Sequence, residues 1–185
     1  RDLKPENMMV RPDGHLFIID FGTCKNLIDT RLNGPEFVGT AEYMSPEAIE
    51  NKVPCTTDSD LWSLGAILYQ MLCGPVAFKS ASEYYTFLRV SYGKPYRVPS
   101  GISDEGRDLV FALLQVEPDK RLGAGGNPTR IKEHPFFASS HSVGGGGVNF
   151  EALTTAASAP LPSMKEVSLE AVAKAACEGV RPKLY

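Results

Sequence analysis

Arg1-Asp2-Leu3-Lys4-Pro5-Glu6-Asn7 opens the sequence, and thirteen positions after Asn7 stands Asp20-Phe21-Gly22. The Asp2 and Asp20 carboxylates, the Lys4 ammonium group and the Asn7 amide thus fall within twenty residues. Moving a phosphoryl group to a hydroxyl needs a proton acceptor, a cation for the phosphoryl oxygens and oxygen ligands for magnesium. Asp2, Lys4, Asn7 and Asp20 could supply those groups together.

Met8 to Val10 and Leu16 to Ile19 are short β-prone runs on either side of Arg11-Pro12-Asp13-Gly14. Pro fixes φ there and Gly permits the reversal, so the spacing predicts a small hairpin. Closing it brings Asn7, at the start of one strand, to Asp20, at the end of the other. From Asp20 to Glu47 the chain is rich in Gly, Thr, Asn and Pro without periodicity, which predicts a long ordered loop.

Ser45-Pro46-Glu47 then opens a short helical stretch, and Asp58 to Leu72 reads as a helix apolar on all sides, hence central. Amphipathic helices follow over Glu83 to Val90 and Ser103 to Gln115, the second with Asp104 and Glu105 in its first turn. Tyr84, Tyr85 and Phe87 read as core. Glu117 to Arg121 turns the chain, and Ile131 to Phe137 closes the packed part. The chain thus divides into a packed unit, 1–138, and a Gly-rich linker with a weakly structured tail, 139–185. A helix over 163–177 is available to that tail, but one so short is marginal without a docking surface.

The net charge of −3 with both signs mixed argues against bulk electrostatic binding of nucleic acid. The longest apolar stretch, Leu61 to Cys73, is broken by Ser63 and Gln70 and is shorter than the roughly 20 residues that cross a bilayer, so no membrane segment is expected. Cys24, Cys55, Cys73 and Cys177 are scattered without metal-ligand spacing, which predicts reduced thiols in the cytoplasm, with the nucleus as the alternative. His15, His134 and His141 have no second ligand near them in sequence and read as surface or packing residues. A first residue that is Arg, without a leader, reads as a cut rather than a natural start.

Arg1 to Asn7, Asp20-Phe21-Gly22, Ser45-Pro46-Glu47, Asp60-Leu61-Trp62-Ser63-Leu64-Gly65 and Arg121 occur in the order seen in eukaryotic protein kinases. The resemblance covers roughly residues 1 to 137. It implies a mainly α fold: the C-terminal, large lobe of the kinase fold, with a small β-hairpin carrying the catalytic and metal-binding loops. Lys4-Pro5-Glu6-Asn7 and the Gly39-Thr40-Ala41 turn resemble the serine/threonine class. Asp20-Phe21-Gly22-Thr23, Phe37 to Ala41, Ser59 to Trp62 and His134-Pro135-Phe136-Phe137 resemble the AGC group, in its phosphoinositide-dependent branch. Phe150-Glu151-Ala152-Leu153 is similar to a segment that follows the core in that branch.

The resemblance implies ATP and Mg2+ as cofactors and protein substrates as partners, the activation loops of other AGC kinases among the candidates. Asp2 would be the base, Lys4 would meet the γ-phosphate, and the Thr40 hydroxyl would bridge the two. Asn7 and Asp20 would hold the metal and its nucleotide, Met9 would floor the adenine, and the Glu6 backbone would meet the ribose. The Glu6 carboxylate would meet a basic substrate residue, a plain surface Glu being the other reading. Arg1 would order the activation loop by pairing with a phosphorylated residue. At the position just before Phe37 this chain has Glu36, a fixed carboxylate that could meet Arg1 and Lys25 instead, unless it simply faces solvent; Thr30 is a second phosphosite candidate. Glu47 and Arg121 would form a buried strut, and Asp60 would hold the catalytic-loop backbone.

No Gly-rich phosphate loop or strand lysine is present in these residues, so they are expected to bind nucleotide poorly alone. Two readings follow, an enzyme represented by its large lobe or a non-catalytic lobe kept for docking. Retention of Asp2, Lys4, Asn7 and Asp20 favours the enzyme.

Overall fold

The helix Asp58–Cys73 (α2) organises the packing. In the computed structural model, which describes residues 1–11, 14–27, 37–51, 55–95, 97–138, 147–151 and 153, Trp62, Ala66, Ile67 and Tyr69 of this helix are buried. They meet Ala77 and Phe78 from the following loop, Val90, Val110 and Leu114. Trp62 stacks on Phe78 with ring centroids 5.1 Å apart. Burying an aromatic or aliphatic side chain contributes about 1.5–3 kcal/mol, so this cluster is the main source of stability.

The expectation of a helix buried on all sides needs correction. Leu61, Leu64, Leu68 and Leu72 are only partly covered and Met71 is exposed, so the described residues enclose one face of α2 and leave an apolar stripe at helical spacing on the other.

The remaining elements follow the local signals. Strands Met8–Val10 (β1) and Leu16–Ile18 (β2) pair antiparallel, with Met8 opposite Ile18 and Val10 opposite Leu16. Gly14 in this turn has φ 85°, a conformation that a Cβ would oppose. The apolar side chains of this hairpin, Met9, Val10, Leu16, Phe17 and Ile18, are largely exposed.

Pro46–Glu50 (α1) starts on a proline, which loses no hydrogen bond at that position. Glu83–Ser91 (α3) and Asp104–Leu113 (α4) begin at serine caps, with Ser82 Oγ accepting from the Tyr85 N–H and Ser103 Oγ from the Gly106 N–H. α4 packs along α2, and of the short helices Thr129–Lys132 (α5) and Pro135–Ala138 (α6) the second packs against α4, its Phe136 near Gly106.

α3 corrects another expectation. Thr86 and Val90 turn inward, whereas Tyr84 and Tyr85 are exposed and Phe87 is half-buried. Packing of Thr86 and Val90 into the core turns both tyrosines to solvent, while Phe87 meets Phe37 edge-on at 5.7 Å.

Beyond the linker, the Val148 N–H donates to the Phe137 carbonyl at 2.8 Å and the Phe150 ring meets Phe137 edge-on at 5.2 Å. Lys132 Nζ sits 5.6 Å from the centre of the same ring. The expected helix over 163–177 lies outside the described residues, as do His141, Thr30 and Cys177. His134 is buried: its Nδ1 accepts from the Phe136 N–H, so Nε2 carries the proton and donates to Asp108 at 3.1 Å.

Candidate active site

Pro5–Asn7 forms one turn of 3-10 helix that runs directly into β1, so Asp2, Lys4 and Asn7 project from a short, tightly turned segment. A hydrogen bond from the Ile19 N–H to the Asn7 carbonyl, 2.9 Å, carries the hairpin ladder back to this segment and sets Asp20 beside it. Asp20 has φ 59°, a left-handed backbone that costs a non-glycine residue about 1–3 kcal/mol and is typical of functional sites. Its Oδ1 accepts from the Gly22 N–H at 3.2 Å. Asp2 and Asp20 line one cavity of about 130 Å³ with Leu3, Ile19, Phe21 and Cys24.

The third component arrives from far along the chain. Gly39 passes so close to the Arg1 carbonyl that a Cβ would lie 3.1 Å from that oxygen, and its φ is 121°. Only glycine permits this approach without strain, and it delivers Thr40 to the segment that carries Asp2 and Lys4. The Thr40 hydroxyl donates to Asp2 Oδ1 at 2.7 Å and accepts from Lys4 Nζ at 2.7 Å. Lys4 Nζ also donates to Asp2 Oδ2 at 2.8 Å, which closes a three-membered ring of contacts. Asn7 Nδ2 donates to the Asp2 carbonyl at 2.8 Å and lies 3.4 Å from Asp2 Oδ2.

Burial alone would resist ionisation of Asp2, but the hydrogen bonds from Lys4, Thr40 and Asn7 and the Lys4 charge outweigh it and hold its carboxyl below the usual aspartate range. The hydrogen bond to Asp2 does most to push Lys4 up, with Asp2, Glu6 and Asp20 adding negative field. An ionised carboxylate offers about four acceptor positions. The three donors leave room for an incoming hydroxyl.

α2 holds this arrangement from below through polar residues at its start. Asp60 Oδ1 lies 3.4 Å from the Arg1 main-chain nitrogen, and the Ser63 hydroxyl donates to the Tyr43 carbonyl at 2.9 Å. The Ser59 hydroxyl donates to Glu47 Oε1 at 2.8 Å. Ser59 and Ser63 share a helix face.

Glu47 itself meets Arg121 bidentately, Nη1 to Oε1 at 2.7 Å and Nη2 to Oε2 at 2.6 Å. Arg121 is 1% exposed, and its other donors go to the carbonyls of Asp58, Gln115 and Val116, so all five of its N–H groups are engaged. Burial opposes the Glu47 charge, yet the Arg121 hydrogen bonds and charge, helped by Ser59, hold its carboxyl below the usual glutamate range.

The remaining candidates are less gathered. Arg1 Nε donates to the Thr23 carbonyl at 2.6 Å, tying the catalytic loop to the segment after Asp20-Phe21-Gly22. Glu36 lies outside the described residues, so its expected meeting with Arg1 and Lys25 is not part of this geometry. Lys25 is half-buried, Glu6 is exposed, and Met9 is exposed on β1. Asn7 and Asp20 are hard oxygen donors of the kind magnesium takes in ones and twos beside waters and phosphates. With the Asn7 Nδ2 group committed to Asp2, its Oδ1 is the atom left for an ion. No cluster of three or more His, Cys, Asp or Glu able to hold a metal occurs among the described residues.

Sequence reasoning assigned no role to Ser59, Ser63, Gln70 or Gly39. Ser59 and Ser63 flank Asp60 and are polar interruptions in an apolar helix, a signal that could have marked them. Gln70 accepts from the Tyr43 hydroxyl at 2.7 Å. Burial, followed by the fields of Glu6 and Glu42, pushes the Tyr43 phenol up to about 12.

The protein kinase domain family matches residues 1–137. The chain belongs to this family. Among its curated relatives, 3-phosphoinositide-dependent protein kinase 1 of Arabidopsis thaliana is 42% identical over 148 residues, 74% of this chain and 30% of that protein. The human protein of the same name is 42% identical over 145 residues, 75% of this chain and 25% of that protein. Serine/threonine-protein kinase sck1 of Schizosaccharomyces pombe is 40% identical over 139 residues, 75% of this chain and 20% of that protein. The chain therefore spans a fifth to under a third of the length of these relatives. This kinase-domain chain is of the AGC serine/threonine type and resembles the phosphoinositide-dependent kinases.

Proposed function

We propose that the protein of which this chain is the kinase large lobe transfers the γ-phosphate of ATP to serine or threonine hydroxyls of protein substrates. The observation that carries this reading is the Thr40 hydroxyl joined to both Asp2 and Lys4 at 2.7 Å. It holds a carboxylate and an ammonium side by side, with acceptor capacity to spare on the carboxylate.

Asp2 accepts the proton of the substrate hydroxyl while that oxygen bonds to the γ-phosphorus and the bond to the β-phosphate oxygen breaks, releasing ADP. Lys4 turns its ammonium toward the transferring oxygens, and Thr40 keeps Asp2 oriented through the exchange. Asn7 and Asp20 would hold magnesium, whose chemistry when bound is charge neutralisation at the phosphate oxygens. The exposed Glu6 and the nearby Glu42 add negative field, which supports a substrate with a basic residue close to its hydroxyl.

The test is transfer of label from γ-labelled ATP to a mixed protein substrate by the whole protein, with hydrolysis of the product to single amino acids. Label on serine and threonine, lost in Asp20→Asn, is expected. Label on tyrosine, or undiminished transfer by Asp20→Asn, would sink the reading.

A further inference from the structure

Two concavities lie at the far end of α2 from the catalytic loop and share one wall. The smaller, about 430 Å³, is lined by Pro95, Arg97, Val98, Ser100, Arg107 and Phe111. The larger, about 620 Å³, has Tyr69, Val76 and Pro99 as apolar walls and Lys79 and Arg97 at its edge. Cys73, which also lines it, stands thirteen residues along α2 from Asp60, so at 1.5 Å per residue the pair lies about 20 Å from the catalytic loop.

The charges around these concavities are one-sided. Arg97 is exposed, and no hydrogen bond or ion pair occupies its guanidinium among the described residues. Arg107 meets Asp104 at 3.6 Å, but Asp104 is 94% exposed and screened by water. Lys79 approaches Glu42 at 3.8 Å on the surface. Among the described residues no carboxylate lines either concavity, although the chain as a whole carries net charge −3. Arg97, Arg107 and Ser100 thus line a space too large for a bare ion, together with the apolar Phe111 and Val98. A phosphate monoester, with nearly two charges and three acceptor oxygens, matches such a set of donors.

We propose that this paired concavity docks a phosphorylated segment of a partner polypeptide. The phosphate sits between Arg97 and Arg107 in the smaller concavity, and an apolar side chain of the same segment enters the larger one. Arg97 forms the ridge between them. In an extended segment, side chains two residues apart lie on one face about 7 Å apart, which suits two adjoining pockets with a common wall. The size of each concavity and its half-apolar lining favour a peptide over a nucleic acid, which would need a longer run of cations. The proposal stands apart from the catalytic reading, because binding is measured without turnover.

The experiment is fluorescence polarisation of the full chain with a labelled hexapeptide pool that fixes one phosphoserine and, two positions away, one leucine. Saturable binding is expected, weakened at least ~10-fold by Arg97→Glu and by Arg107→Glu, while the surface control Arg130→Glu leaves it unchanged. Circular dichroism melting confirms that each variant is folded. The same pool with serine in place of phosphoserine should not bind. The proposal is overturned by equal binding of the two pools, by indifference to both substitutions, or by no saturation at millimolar peptide. It is also overturned if inorganic phosphate or a single-stranded RNA oligomer displaces the peptide at concentrations below the peptide's own.

Discussion

Asp2 with Lys4 and Glu47 with Arg121 are both carboxylate–cation pairs whose carboxylate also accepts from a hydroxyl, Thr40 in the first and Ser59 in the second. In both, the hydrogen bonds and charge of the partner overcome burial and hold the carboxyl below its ordinary range. They differ in what the cation can do. Lys4 is a point charge on a flexible stem with 20% of its side chain exposed, so it is free to move away from Asp2, as the proposed phosphate contact requires. Arg121 has 0% of its side chain exposed and every donor committed, so it can go nowhere. The same chemistry thus serves as a hand in one place and a rivet in the other.

That contrast breaks most visibly at Asp2. In the whole protein, Asp2→Asn should lower kcat by about 10²- to 10⁴-fold with a melting temperature lowered far less than by Arg121→Ala, read by steady-state kinetics beside calorimetry. Comparable loss of stability would merge the two pairs into one class.

Arg121→Ala should do the reverse, costing about 3–5 kcal/mol of unfolding free energy because it strands the Glu47 charge. Denaturant titration measures it, and a variant as stable as the parent would remove the rivet.

Thr40→Val sharpens the active pair. It deletes one hydrogen bond that lowers the Asp2 pKa, so the carboxyl should titrate closer to its ordinary value. The acid limb of kcat/KM, where the rate falls as Asp2 takes up a proton, then moves to higher pH, with kcat down about tenfold. An unmoved limb would assign the titration to another group.

Glu47→Gln sharpens the buried pair through pH. Glu47 has a lowered pKa in the fold, so its contribution to stability is complete above the ordinary glutamate value and is lost as pH falls through the folded value. The melting temperatures of parent and variant should therefore differ at neutral pH and converge on acidification. Smallest of all is the pair between Lys120 and Glu117, both largely exposed: Glu117→Gln should leave melting unchanged at moderate salt.

The hairpin, the central helix and the two amphipathic helices were legible because each has a local cause: a Pro and Gly turn, an apolar run, an amphipathic period. The grouping of Asp2, Lys4 and Asn7 was legible because they stand within six residues of one another, and Thr40 joins them in the fold. Which way α3 faces was not, since Tyr84, Tyr85 and Phe87 are apolar enough for either side and only packing around Thr86 and Val90 decides. Nor was the turning of the Asn7 amide toward Asp2, which depends on a 3-10 turn that three residues cannot announce. The junction of Arg97 and Arg107 joins a loop to a helix, and their sequence separation gives no hint of a common cavity.

At Gly65 a Cβ would stand 2.8 Å from the Leu113 Cβ, which makes the clearance between α2 and α4 less than one methyl group. The carbonyls of Gln115 and Val116, just past the end of α4, are two of the acceptors that grip Arg121. Widening the gap at residue 65 would therefore draw those carbonyls off the guanidinium and loosen Glu47 at the end of the loop that carries Thr40. A spacing fixed in the interior of two helices becomes a tolerance on where a hydroxyl stands beside Asp2.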